Sequence, residues 1–259
     1  MRTSGRVTSS TYFRHTSFLT YPGKQTYKRY MDLFLIPIII AVVAALTPKV
    51  KYLSQTLTTI THELGHAVAV MPFGGRLKGI KLRLTTEGEA VVSIPRWPFP
   101  IYHAVRILNL FAGYSAPIYL SLFFVFAVIN EWEVAVKVTL GIMSLLILLF
   151  IRNWFGLLVA LSFVVFNAAM LVLLPEVFKQ YVLTLAFILL IRGCIDIYKA
   201  GEWTFRRALA SSDFVIASEE LFGPPQLWYV LFCLFHLPFM VFAGIMVWGS
   251  VNSTFLLPQ

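Results

Sequence analysis

The chain has 259 residues, of which 58% are hydrophobic and 13% charged, and its formal net charge is +9. A soluble domain carries roughly 45–50% apolar and about 25% charged residues, so this composition excludes an ordinary soluble domain and points to a polytopic membrane protein. In such a chain a basic excess reports topology rather than nucleic-acid binding.

Residues 1–30 read as a basic N-terminal tail, with Arg2, Arg6, Arg14, Lys24, Lys28 and Arg29 and no acidic residue. The tail lacks the long apolar core and the cleavage site of a signal peptide. Either Met1 or Met31 can serve as the start. Residues 31–259 are expected to form one membrane-embedded domain. Spans need roughly 20 mostly apolar residues, and candidates lie at 31–48, 52–72, 101–129, 134–151, 153–174, 180–198 and 226–250. Only Arg152 and Asn153 separate the fourth from the fifth, which requires a tight helical hairpin. The expected fold is an all-α polytopic membrane protein of six to seven transmembrane helices, with a small β-hairpin after the second.

The hairpin is read from "GGRLKGIKLRLTTEGEAVVSI". Ile80, Leu82 and Leu84 alternate with Lys81 and Arg83, a period-2 strand pattern. "TTEGE" reads as the turn and "AVVSI" as the returning strand. Such a hairpin can add an extended substrate as a further strand, or rest its basic residues on lipid phosphates.

Basic residues mark cytoplasmic loops. The tail therefore puts the N-terminus in the cytoplasm. Segment 73–100, with Arg76, Lys78, Lys81, Arg83 and Arg96, falls on the same side, as does 199–225 with Lys199, Arg206 and Arg207. The acidic "NEWE" at 130–133 falls outside; Lys49 and Lys51 run against the pattern. The expected location is the cell membrane, with the lipid bilayer as surroundings and no nucleic-acid partner. Cys194 and Cys233 stand alone in apolar runs and read as small buried residues.

The second span holds "HELGH", a costly cluster of ionisable groups at membrane depth. His62 and His66 are four residues apart, hence on one helix face. Two neutral imidazoles so placed can share one zinc ion. Glu63, beside them, is a candidate general base for a water attacking a peptide carbonyl. Gly65 and Ala67 leave room for another helix to pack closely.

A catalytic zinc usually takes three protein ligands. The aspartates are Asp32, Asp196 and Asp213. Asp32 reads as a boundary residue, and Asp196 is near Arg192, where an ion pair is the alternative. Ser212 or Asp213 is equally readable as a helix N-cap. His103 and His236 are further candidates. The topology puts "HELGH" in the inner half of its span, within reach of both Asp196 and Asp213.

"HELGHAVAVMPFGGRLKGIKL" resembles the site-2-protease family of membrane zinc metallopeptidases, most closely its B-type subgroup common in actinobacteria. "FAGYSAPIYLSLFF", "LIRNWFGLLV" and "SSDFVIASEELFGPPQLWYVLF" are similar to that subgroup's later blocks, so the likeness covers about residues 55–250. The resemblance implies a zinc metalloendopeptidase acting on membrane protein segments near the cytoplasmic face. It implies His62 and His66 as zinc ligands, Glu63 as general base and Asp213, in the matching Ser-Asp block, as third ligand. Two departures stand out: there is no Asn-x-x-Pro…Asp-Gly segment, and Phe214 occupies a position where the subgroup commonly has a small residue. Read without the resemblance, the same histidines also suit a metal-ion transporter or channel, or a non-proteolytic membrane scaffold.

Overall fold

The computed structural model describes residues 24–48, 50–85, 87–206 and 212–256. Residues 1–23 of the expected tail, and Lys49, lie outside these. The chain forms α1 (Lys24–Leu46), α2 (Lys51–Val70), β1 (Arg76–Leu82), β2 (Gly88–Ser93), α3 (Phe99–Ile129), α4 (Glu133–Phe150), α5 (Trp154–Val172), α6 (Phe178–Arg206), α7 (Asp213–Glu220) and α8 (Pro225–Leu256). It is mostly helical, with one two-stranded antiparallel sheet among the described residues.

Among the described residues, α3, α4, α5 and α6 are long and apolar enough to cross a membrane. Two further pairs qualify only jointly, and both are bent: α1 with α2 by 97°, and α7 with the first part of α8 by 115°. Counting each bent pair as one span gives six. Every expected span is found as a helix. The structure thus gives four to six spans against the expected six to seven; α1 and α2, read as two separate spans, form one bent pair.

The threonine-rich α2 is helical in spite of its β-branched residues. Its hydroxyls are absorbed by its own backbone: Thr56, Thr58 and Thr61 donate to the carbonyls of Tyr52, Ser54 and Leu57 at 2.7, 3.0 and 2.9 Å. This leaves no hydroxyl of the three unpaired in an apolar setting. Ser54 also donates to the Ala44 carbonyl at 3.1 Å, tying α2 to α1 across the bend.

Helix α3 lies against the HELGH face of α2. A Cβ on Gly65 would run into the Ala112 carbonyl oxygen and come within 2.6 Å of the Ala116 Cβ. A Cβ on Gly113 would come within 2.5 Å of His66 Nε2 and 2.7 Å of His62 Cε1. The close approach expected at Gly65 is thus made by α3, and Gly113 leaves the space that the two imidazoles fill.

After α2, a 3-10 turn (Met71–Phe73) and the left-handed Gly74 (φ 77°) reverse the chain into the hairpin. Buried Leu77, Ile80 and Leu82 of β1 pack with Ile60 and Leu64 of α2 and Ile147 of α4. Leu84, expected to continue the alternation, lies past the end of β1 and is exposed. The turn residues before Gly88 end the strand there, and the buried face stops at Leu82. The tight α4–α5 turn is more than a connection. Arg152 N–H donates to the Ile80 carbonyl at 2.9 Å, and Ile151 bridges Ile80 in parallel. The Asn153 side chain accepts from Leu82 N–H at 3.0 Å and donates to its carbonyl at 2.6 Å. This turn therefore occupies the edge of β1 that β2 does not.

Gly65→Val inserts side-chain atoms into the α3 backbone and should destabilise the protein by about 1–3 kcal/mol, in the range for overpacking. Gly141→Ala on α4, where an added Cβ meets nothing within 4 Å, should leave the thermal midpoint in detergent unlowered. A Gly65→Val protein melting like wild type would contradict this helix contact.

Candidate metal centre

The two histidines and the glutamate come from the fourth and fifth turns of α2, and the third carboxylate comes from the start of α7. His62 Nε2 and His66 Nε2 are 3.0 Å apart. Asp213 Oδ2 lies 3.3 Å from the first and 3.4 Å from the second. His66 and Glu63 are 8% and 7% exposed, so the cluster is buried on its α2 side. Among the described residues, no other group of histidine, cysteine and acidic side chains converges in this way.

Partners on α3 fix how His66 presents itself. Its Nδ1–H donates to the Asn109 backbone carbonyl at 2.7 Å. Because a carbonyl can only accept, Nδ1 carries a proton, and in the neutral imidazole that metal binding requires the Nε2 lone pair then faces the cluster. The Asn109 side-chain amide donates in return to the His66 carbonyl at 2.8 Å. His62 is held differently. The Tyr114 ring meets it edge-on, with centroids 4.7 Å apart.

The local structure at the start of α7 answers the capping question raised by the sequence. Ser212 is the N-cap, and its Oγ accepts from Val215 N–H at 3.3 Å. Asp213 is therefore the first helical residue, and its carboxylate is released from capping to face the imidazoles. Phe214 is 1% exposed and stacks on Tyr114, with centroids 5.2 Å apart and planes 6° from parallel. It also packs against Phe232 of α8. The large residue in the Ser-Asp block thus wedges α7 between α3 and α8.

The donor set suits zinc. Two imidazole nitrogens and one carboxylate oxygen surround a common point, a set typical of a hydrolytic zinc site. Asp213 Oδ2 is buried and has no hydrogen-bond partner among the described residues. A buried carboxylate oxygen without a donor is costly, and a cation held between it and the two nitrogens would satisfy it. His66 Nδ1 already has the outer carbonyl partner that metal-binding histidines usually make.

The other candidates are engaged elsewhere. Asp196 accepts from the buried Arg192 at 3.1 Å, the ion pair weighed from the sequence. His103 Nδ1 bonds the Phe99 carbonyl at 2.8 Å. His236 is buried between α3 and α8, with Nδ1 on the Phe232 carbonyl at 2.8 Å and Nε2 against Ser115 Oγ at 2.5 Å. Asp32 belongs to α1, and its side chain is outside the described set.

Glu63 lies on the hairpin side of the cluster. A Cβ on Gly88, the first residue of β2, would come within 2.8 Å of Glu63 Oε1. The start of β2 thus touches the candidate base, and only a residue without a side chain fits there. Asn109, Gly113 and Gly88 were not singled out from the sequence. Gly113 does stand in the quoted "AGY" segment, and helical spacing from Gly113 to Asn109 puts both on one face.

No curated protein matches the chain, and no solved structure does. A family model described as Peptidase M50B-like matches residues 35–243, from α1 into α8, and the chain belongs to that family.

Proposed function

We propose that the chain is an intramembrane zinc metalloendopeptidase that hydrolyses peptide bonds of membrane protein segments near the cytoplasmic face. The observation that carries this reading is the meeting of Asp213 with both imidazoles beside Glu63. In it His62, His66 and Asp213 hold the metal. Zinc in such a set acidifies water and polarises a peptide carbonyl. Glu63 takes the proton from the attacking water and returns it to the leaving amine. His66 keeps one tautomer throughout because its Nδ1–H is committed to Asn109.

A peptide bond inside a helix is shielded, so the substrate must be held extended. The hairpin supplies an edge for this. Ile80 and Leu82 direct their backbone groups to Arg152 and Asn153. They pair with Ala90 and Gly88 respectively. In an antiparallel ladder both members of such a pair point away from each other's strand, so Ala90 and Gly88 turn their N–H and C=O groups to the far edge of β2. A substrate strand added there begins at Glu63. The basic residues Arg76, Lys78 and Lys81 of β1 and Arg83 after it, with the positive-inside rule, favour the cytoplasmic side and a cytoplasmic N-terminus.

Glu63→Gln should lower cleavage of a tagged membrane substrate by about 10²–10⁴-fold while about one zinc stays bound per chain. Asp213→Asn should lose the zinc itself. Unchanged cleavage with Glu63→Gln would sink its assignment as base; loss of zinc with that variant would favour a transport ligand instead.

Ala90→Pro removes one outward N–H and no ladder bond, a change edge strands tolerate. It should raise KM for a membrane substrate several-fold and leave zinc content intact. A wild-type KM would rule out strand addition at β2.

A further inference from the structure

Helix α7 meets the rest of the site at both ends. Asp213 faces the imidazoles at one end, and Glu220 pairs with Arg106 of α3 at the other. The contact is two-pronged: Arg106 Nε–H donates to Glu220 Oε2, and Nη2 donates to Oε1 at 2.6 Å. The third nitrogen of the guanidinium, Nη1, donates to Asn109 Oδ1 at 3.2 Å. A guanidinium only donates, so Asn109 must turn its oxygen to Arg106 and its NH2 to the His66 carbonyl. That is the arrangement observed, with Nδ2 donating at 2.8 Å. One arginine thus joins the far end of α7 to the residue that anchors His66.

Apolar anchoring of α7 is concentrated toward its start, where Phe214, Ile216 and Ala217 pack into the cluster with Leu110, Trp228 and Phe232. Of its residues only Phe214 and Ala217 are buried. An eight-residue helix is about 12 Å long, so with the Glu220 end freed the direction of its axis is set by that apolar cluster alone. A forked arginine–carboxylate contact resists a change of that direction in a way a single-point charge pair does not.

We propose that Arg106 is a positioning residue for the ligand set: it pins α7 at the end opposite Asp213 and orients the Asn109 amide behind His66. The proposal rests on the reading of His62, His66 and Asp213 as zinc ligands. Arg106 touches neither the metal nor the substrate; it acts through Glu220 and Asn109.

The test uses the full chain purified in detergent. Zinc affinity is read by competition with a chromophoric chelator, and ligand geometry by the visible spectrum of the cobalt-substituted protein. Arg106→Gln and Glu220→Gln should each weaken zinc binding by about tenfold, within the range for outer-sphere partners, and alter the cobalt bands. The double variant should be no weaker than Arg106→Gln alone, and Arg106→Lys should recover part of the loss. Should Arg106→Gln fail to fold, Glu220→Gln at its solvent-accessible carboxylate and Arg106→Lys carry the test. Folded variants with wild-type affinity and spectrum overturn the proposal, and if Asp213→Asn still loses zinc the ligand reading survives. A wild-type chain that binds no zinc overturns both.

Discussion

The close contact of α2 with α3 is the constraint on which the site depends. Two histidines four residues apart necessarily share a helix face, and here that face is the one buried against a neighbour. The rings then need room inside a helix–helix interface, where backbones lie close. Gly65 lets the α3 backbone approach, and Gly113 leaves the space that the rings enter. Arg106, Asn109 and Gly113 follow one another along α3 at spacings of three and four, so they line the same stripe. The glycine admits the imidazoles, the asparagine one turn earlier binds His66, and the arginine beyond it reaches α7.

The same interface shows how an apolar chain carries polar groups at depth. An unsatisfied backbone or side-chain group in hydrocarbon costs several kcal/mol, so each needs a partner within the protein. The threonines of α2 find theirs on their own helix. Asn109 and Asn153 each serve one residue's backbone from another element, His66 and Leu82. Asp213 Oδ2 breaks the pattern: it is buried, makes no hydrogen bond, and has only the two imidazole nitrogens beside it. Asp196 is the useful contrast: it has Arg192, so it needs no cation and is not part of the cluster.

What the sequence made legible was local. The HELGH spacing needs only helical geometry to place two nitrogens together, and the alternation around Ile80 needs only the pleat of a strand. Asp213 was reached by resemblance, and the Ser212 cap explains locally why its side chain is available. The rest depended on contacts distant in the chain. Asn153 completes the edge of β1 from 71 residues away, and Arg106 meets Glu220 across 114. No periodicity reports such pairs. The number of spans was illegible for a related reason: length and apolarity identify a helix, but the bends of 97° and 115° decide whether two helices count as one span. Leu84 failed because an alternating pattern does not mark where the buried face beneath it ends.

The site is therefore divided between a fixed part and a docked part. Helices α2 and α3 hold two nitrogens and the tautomer of His66 through contacts buried between them, with the candidate base on α2 facing the start of β2. The remaining carboxylate stands on a short helix whose own fold is decided at one residue. An aspartate at a helix start tends to bond the free N–H groups there, which would turn its oxygens back onto its own helix. Because Ser212 takes the Val215 N–H, Asp213 is released from that role. Its position in the first turn, where the helix dipole favours negative charge, stabilises the carboxylate without consuming its oxygens. The adjacent Phe214, stacked on the same Tyr114 that meets His62, then sets the helix start beside the imidazoles. Serine, aspartate and phenylalanine act in turn as cap, free carboxylate and wedge, which is the physical content of that three-residue block.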